Sequence, residues 1–237
     1  RTAAFPDLVG DRLEILLTAA ADLEFVRSGG GGVDLHWRWH RNPSLMRFDV
    51  ASSWGNAAQV ELGGQKVTVP GATDQLVYLA SHGARHLWRR LRWLDDLRWL
   101  LADPAAATMM PAALARASEL GASRSLACAL ALVGELDGLP VPSAAADPAA
   151  QRLARHSLRT MPLSPCPSHV GGFRTEMTAG WHLAAGWRER FHGLLVHRLL
   201  GPSERDGATL PLPRRWRGLY SVVRPVLWTA RQVARWR

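Results

Sequence analysis

Five residues, His82, His86, Arg89, Trp93 and Asp96, recur at steps of four and three, so a helix drawn through them would carry all five side chains on one face. The line collects two imidazoles, a guanidinium, an indole and a carboxylate, groups that bind, donate and accept where aliphatic residues would only pack. Two histidines at i and i+4 raise the possibility of a metal-dependent hydrolase. The acid that would serve as base between them is absent, with Gly83, Ala84 and Arg85 in its place, and an arginine beside the cation would repel it. A second group lies on VDLHWRW, residues 33–39. If this is a strand, Asp34, His36 and Arg38 share one face, while Val33, Leu35, Trp37 and Trp39 share the other. Asp34 reads either as a solvated residue after a glycine turn or as a metal-binding carboxylate. His36 has no partner at metal spacing and reads as a structural hydrogen-bonding residue. His182, His192 and His197 miss the i, i+4 spacing and read as packing or surface residues.

The elements that would position these groups follow from periodicity. Leu76, Leu87, Leu91, Leu94, Leu97 and Leu101 keep a helical repeat without a proline, which predicts one helix over Thr73 to Asp103, closed by Asp103-Pro104. Upstream, residues 11–21 have a helical bias. Residues 23–27 and 33–39 form a hairpin around Gly29 to Gly32, 41–58 read as a loop with room for one helical turn, and QVELGGQKVTVP forms a second hairpin around Gly63-Gly64. Downstream, helices are expected over 112–120, 123–136, 147–160 and 175–200, with a turn-rich connector at 162–172. From Pro211 to Arg237 there are seven arginines and no acid. Trp216, Leu219, Tyr220, Val223, Leu227 and Trp228 make a stripe on a helix that Pro225 kinks. Such a helix can lie on nucleic acid or on an anionic membrane surface. The favoured expectation is that the stripe docks on the domain and the arginines face water.

With 237 residues and 47% hydrophobic content, the chain can bury a substantial core. The formal charge of +9 is carried by arginine with Lys66 as the sole lysine, which raises the case for nucleic-acid binding only modestly. Cys128 and Cys166 give neither metal spacing nor a disulfide framework, so a reducing, cytoplasmic setting is expected. No apolar run approaches the roughly twenty residues of a membrane span. Asp7, Asp11 and Arg12 interrupt any signal-peptide core.

Three stretches together resemble a known family. VDLHWRW at 33–39, YLASHGARHLWRRLRWLDDLRWLL at 78–101 and PSERDGATLPLPRRWRGLYSVVRP at 202–225 are similar, in order and spacing, to the uncharacterised nucleotidyltransferases, whose members carry a DLHW strand, an HxxxHxWxRLxWLxD helix and a basic LYxxxRP helix. The resemblance implies an α+β fold: a remnant of a nucleotidyltransferase-like mixed sheet over 1–70, built of β-hairpins, then a mostly helical region over 71–200 and a basic C-terminal segment over 201–237. It implies transfer of a nucleotidyl group from a nucleoside triphosphate to an unknown acceptor, with two Mg2+ ions held by acidic side chains. Asp34 would be the third carboxylate of that metal site. His82, His86, Arg89 and Asp96, which lie in the helix motif, would shape or contact the substrate cleft. The family's Gly-Ser helix start and Asp-x-Asp strand have no counterpart before Asp34. Asp22 and Glu24 are spaced like the acid pair but fall on the hairpin. With that acid pair missing, by truncation, as a chain that does not begin with Met suggests, or by divergence, an inactive or incomplete catalytic site is expected. The alternative is a non-catalytic binding or regulatory module on the same scaffold.

Overall fold

The computed structural model describes residues 11–40, 45–47, 50–138, 141–161, 173–184, 186–193, 201 and 203–235. Asp7, the connector 162–172 with Cys166, and His197 lie outside them. In chain order the elements are α1 (Asp11–Ala19), β1 (Asp22–Val26), β2 (Gly32–His36), α2 (Val50–Ser53), β3 (Ala58–Leu62), β4 (Gln65–Val69), α3 (Ala72–Arg85), α4 (Leu91–Ala102), α5 (Ala106–Leu120) and α6 (Ser123–Asp137). They continue with α7 (Pro148–Thr160), α8 (Phe173–Leu183), α9 (Trp187–Arg190), α10 (Glu204–Thr209) and α11 (Tyr220–Arg235), the last preceded by a 3-10 turn at Arg214–Leu219. The architecture is α+β, with β1-β2 and β3-β4 each an antiparallel two-stranded sheet ahead of the main helical region. The chain divides into two compact units, Arg1–Asn42 with Phe191–Arg237, and Pro43–Arg190.

In the first unit, α1 buries Ile15 and Leu16. Ile15 sits against α10 so closely that a Cβ at Gly207 would come within 2.7 Å of its Cγ2. The β1-β2 register places Asp22 opposite His36 and Glu24 opposite Asp34, so these four polar side chains share one face of the hairpin, as alternation predicts. Phe25, Val33 and Leu35, on the other face, remain exposed.

Asp206 is the polar centre of this unit. It is fully buried, its Oδ2 accepts from the Ser203 hydroxyl (2.5 Å) and amide (2.9 Å), and the Ser203 Oγ accepts from the Asp206 amide (3.3 Å). This reciprocal pairing satisfies donors at the start of α10. Arg231 donates to Oδ1, and Arg224 lies 3.6 Å away. Burial pushes the Asp206 carboxyl up, but Ser203 and Arg231 outweigh it and hold the group below the ordinary 3.8. Tyr220, also fully buried, donates to the Leu210 carbonyl (2.5 Å) and accepts from the Leu212 amide (3.1 Å). The expectation for α11 is thereby partly reversed. Arg217, Arg224 and Arg231 turn inward to carboxylates, whereas Trp216, Leu219 and Trp228 stay exposed. Two of these arginines lie on one side of α11 and share the buried carboxylate of Asp206, while Arg217 reaches Glu14 from the preceding 3-10 turn.

In the second unit, β3 and β4 turn through Gly63 and Gly64, both with positive φ (58° and 75°), the conformation that a two-residue hairpin requires. The central element is α3, which packs against α4, α5, α6 and α8 and buries Leu76, Val77, Ala80 and Ala84 completely. Buried Asp74, in its first turn, receives Arg116 of α5 at 2.9 Å. Hydrogen bonding to Asp74 holds the Arg116 guanidinium above its ordinary value. Asp147 caps α7 by accepting from the Ala149 (2.6 Å) and Ala150 (3.1 Å) amides, with Pro148 in the first turn and Arg124 at 2.9 Å.

The predicted single helix over 73–103 is two helices. α3 ends at Arg85, the chain turns through His86 to Arg90, and α4 begins at Leu91. No glycine or proline marks the break. Leu87 and Trp88 instead adopt positive φ (53° each). The Leu87 amide donates to Ala84 (3.1 Å) and the Trp88 amide to Gly83 (2.9 Å), the two bonds of a Schellman C-cap. A left-handed leucine costs about 1–2 kcal/mol. Burying Leu87 and Trp88 almost completely more than offsets this, at roughly 1.5–3 kcal/mol for one large apolar side chain. Tertiary burial therefore overrides a helical repeat that continues through the sequence. The predicted run 175–200 is likewise interrupted, with α8 ending at Leu183 and α9 spanning only Trp187–Arg190.

Candidate functional site

The turn between α3 and α4 returns Trp93 to His82, in the last turn of α3, and to His86, the residue that caps it. His82 and His86, one turn apart, have ring centroids 4.9 Å apart, and Tyr78, a further turn back, lies 5.6 Å from His82. The Trp93 ring meets His82 edge-on at 4.8 Å and stacks on His86 at 5.1 Å, 29° from parallel. Four aromatic rings thus form one continuous π surface, with spacings in the favourable range for such pairs. Trp93 is buried, while Tyr78, His82 and His86 are half-buried.

Guanidinium groups border the rings. The Arg90 Cζ lies 5.5 Å from the Trp93 centroid, a cation–π distance. Arg85 donates to the His86 Nε2 through its Nε (3.2 Å) and Nη2 (3.0 Å). Because arginine can only donate, His86 Nε2 must accept, which places the ring proton on Nδ1. The Nε atoms of Arg89 and Arg90 are shielded from solvent with no hydrogen-bond partner among the described residues. α4 carries no acid in its first turn, so nothing there cancels the positive end of the helix dipole. Beneath the turn the Trp88 ring covers Gly83 and neighbours Cys128. Burial pushes the Cys128 thiol up to about 12, opposed by Trp88, so it is a packing residue and not a nucleophile.

The structure thus brings His82, His86 and Trp93 together, places Arg89 in the turn between α3 and α4, and leaves Asp96 exposed on α4, three residues beyond Trp93. Tyr78, Arg85 and Arg90 join the cluster without having been singled out in the sequence. Tyr78 stands four residues before His82 and Arg90 three before Trp93, spacings that would have flagged these two contacts.

The model of the uncharacterised nucleotidyltransferase family matches residues 12–138, more than half of the chain. The chain belongs to this family. No curated protein and no solved structure matches it. The family match spans both hairpins and α3 to α6, so it includes Asp34 and the whole ring cluster.

Nucleotidyltransferases in general use a nucleoside triphosphate and a divalent metal, and the acids of the hairpin are the natural place to test for the latter. Asp34 and Glu24 face each other across the strands, with Asp22 and His36 as the next pair. Among the described residues, however, no three His, Cys, Asp or Glu side chains converge as a cage would require. The described residues alone do not fit a two-magnesium centre. Nor, among them, is any helix long and apolar enough to cross a membrane.

Proposed function

We propose that the α3-α4 turn binds a nucleoside triphosphate, as part of a scaffold whose reaction is transfer of a nucleotidyl group to an acceptor. The observation that carries this is the four-ring surface of Tyr78, His82, His86 and Trp93 bordered by Arg85 and Arg90, with Arg89 in the same turn. A nucleotide joins a planar base to a polyanion, and this surface pairs π faces with guanidinium donors in the same way. His82 and His86 contact the nucleotide, Arg89 meets its phosphates, and Asp96, on the exposed side of α4, accepts hydrogen bonds at the mouth of the site. Asp34 is a single carboxylate available to a metal, sufficient only with acids from elsewhere.

Isothermal titration of the full chain with ATP, GTP, CTP and UTP tests this. Saturable heat with at least one nucleotide is expected, weakened about tenfold or more by Arg89→Ala through loss of a charge-assisted bond. No heat with any of the four, from protein shown to be folded, would sink the proposal.

A second reading is favoured by the lack of a converging acid set among the described residues: a non-catalytic binding or regulatory module on the same scaffold. It expects nucleotide binding that is indifferent to magnesium and unchanged in Asp34→Asn. Loss of magnesium-dependent binding in that variant would favour the enzyme.

A further inference from the structure

α11 turns its charged side inward and its apolar side to solvent. Arg224 and Arg231, seven residues apart, share one side of the helix and pair with Asp206, while Arg217, in the 3-10 turn before it, pairs with Glu14 (2.7 Å). Leu219, Val222, Val226 and Val233 follow at steps of three, four and seven on a different side, and all are exposed, Val222 to 69% and Val226 to 67%. Trp216 is exposed in the 3-10 turn that precedes them, Trp228 is exposed on another side of the helix, and residues 225–230 of the helix, PVLWTA, carry no charge. Single exposed apolar residues are ordinary, but a stripe running three turns and more with an exposed indole ahead of it marks an interaction surface.

We propose that this stripe is the face by which the chain lies on an anionic lipid bilayer. Charge identifies the occupant. From Gly207 to Arg237 there are seven arginines and no acid, and the three that turn inward share only two carboxylates, leaving the segment net positive. Arg214 and Arg215, exposed in the 3-10 turn that leads into α11, stand where headgroup phosphates would meet them. A second copy of the chain would set this basic segment against itself. Pro225, exposed within α11, would also interrupt the regular interlocking of a paired helix. A bilayer boundary needs neither complementary shape nor register, and it favours tryptophan at the level of the headgroups.

Flotation of the full chain with vesicles of phosphatidylglycerol and phosphatidylcholine, against vesicles of phosphatidylcholine alone, tests this. Binding to the anionic vesicles is expected, weakening as salt is raised. V222D/V226D should lower the partition coefficient roughly tenfold or more, as two apolar side chains no longer enter the interface. Both valines are exposed, so the variant should keep the thermal melt of the parent. Failure to bind either vesicle would overturn the proposal, and so would undiminished binding of V222D/V226D. A concentration-dependent dimer abolished by the same substitutions, without vesicle binding, would assign the stripe to a second copy instead.

Discussion

The Trp88 ring lies so close over Gly83 that a Cβ at position 83 would come within 2.4 Å of Cζ3. The ring is fully buried and its amide is tied to the Gly83 carbonyl, so neither partner can withdraw independently. Gly83→Ala should therefore destabilise the protein by about 1–3 kcal/mol, although alanine is the better helix former. A urea midpoint unchanged from the parent would show that the ring can move aside.

Leu87 yields an inversion of the usual order of substitutions. Leu87→Ala removes a buried side chain while keeping the left-handed strain, and should cost about 2–5 kcal/mol. Leu87→Gly loses the same packing but relieves the strain, and should be more stable than Leu87→Ala by about 1 kcal/mol. In an ordinary helix, glycine would be the worse of the two. Chemical denaturation of the pair decides it, and alanine at or above glycine would refute the role of backbone strain here.

What the sequence disclosed, and what it hid, follows the range of the forces involved. The β1-β2 hairpin, with Asp34 and His36 on one face, was legible because glycines and strict alternation are local signals. The helices over 123–136 and 147–160 were legible for the same reason, with Gly138 and the Asp147-Pro148 cap as their punctuation. The break between α3 and α4 was hidden because its cause is remote: Leu87 and Trp88 leave the helix to fill the core, and no residue at the break announces it. The spacing of His82, His86 and Trp93 predicts one helix face, yet the rings meet because the chain folds back. The inward turn of Arg224 and Arg231 depends on Asp206, eighteen and twenty-five residues away, beyond the reach of any periodicity.

Asp206 predicts a pH dependence. Its carboxyl is held below its ordinary value of 3.8, so the folded state binds the proton less readily than the unfolded chain does. The stabilisation is fully present above 3.8 and is lost as pH falls below that value through the lower folded value. Asp206→Asn should cost about 2–4 kcal/mol at neutral pH, since two inward arginines lose their shared buried counter-charge. The stability gap between parent and variant should narrow as pH is lowered below 3.8. Denaturation across that range checks it, and a gap that stayed constant or widened would contradict the assignment.

Asp74 and Arg116 offer a test of how a buried ion pair contributes to the α3-α5 contact. Asp74 is almost entirely buried, while Arg116 is 19% exposed and also reaches Glu119 at 3.1 Å. Removing the acid strands the guanidinium only in part, because Glu119 and solvent still compensate it. Asp74→Ala should thus cost about 2–3 kcal/mol, below the 3–5 kcal/mol typical when one member of a fully buried pair is removed. Arg116→Leu should cost more than Asp74→Ala, since it leaves the carboxylate, which has no such exposure, without its cation. Combining the substitutions should recover part of either loss, because an apolar pair of similar volume no longer buries an uncompensated charge. A double-mutant cycle in urea measures the coupling directly. Strictly additive losses would mean that the 2.9 Å contact contributes nothing beyond the packing of its two side chains.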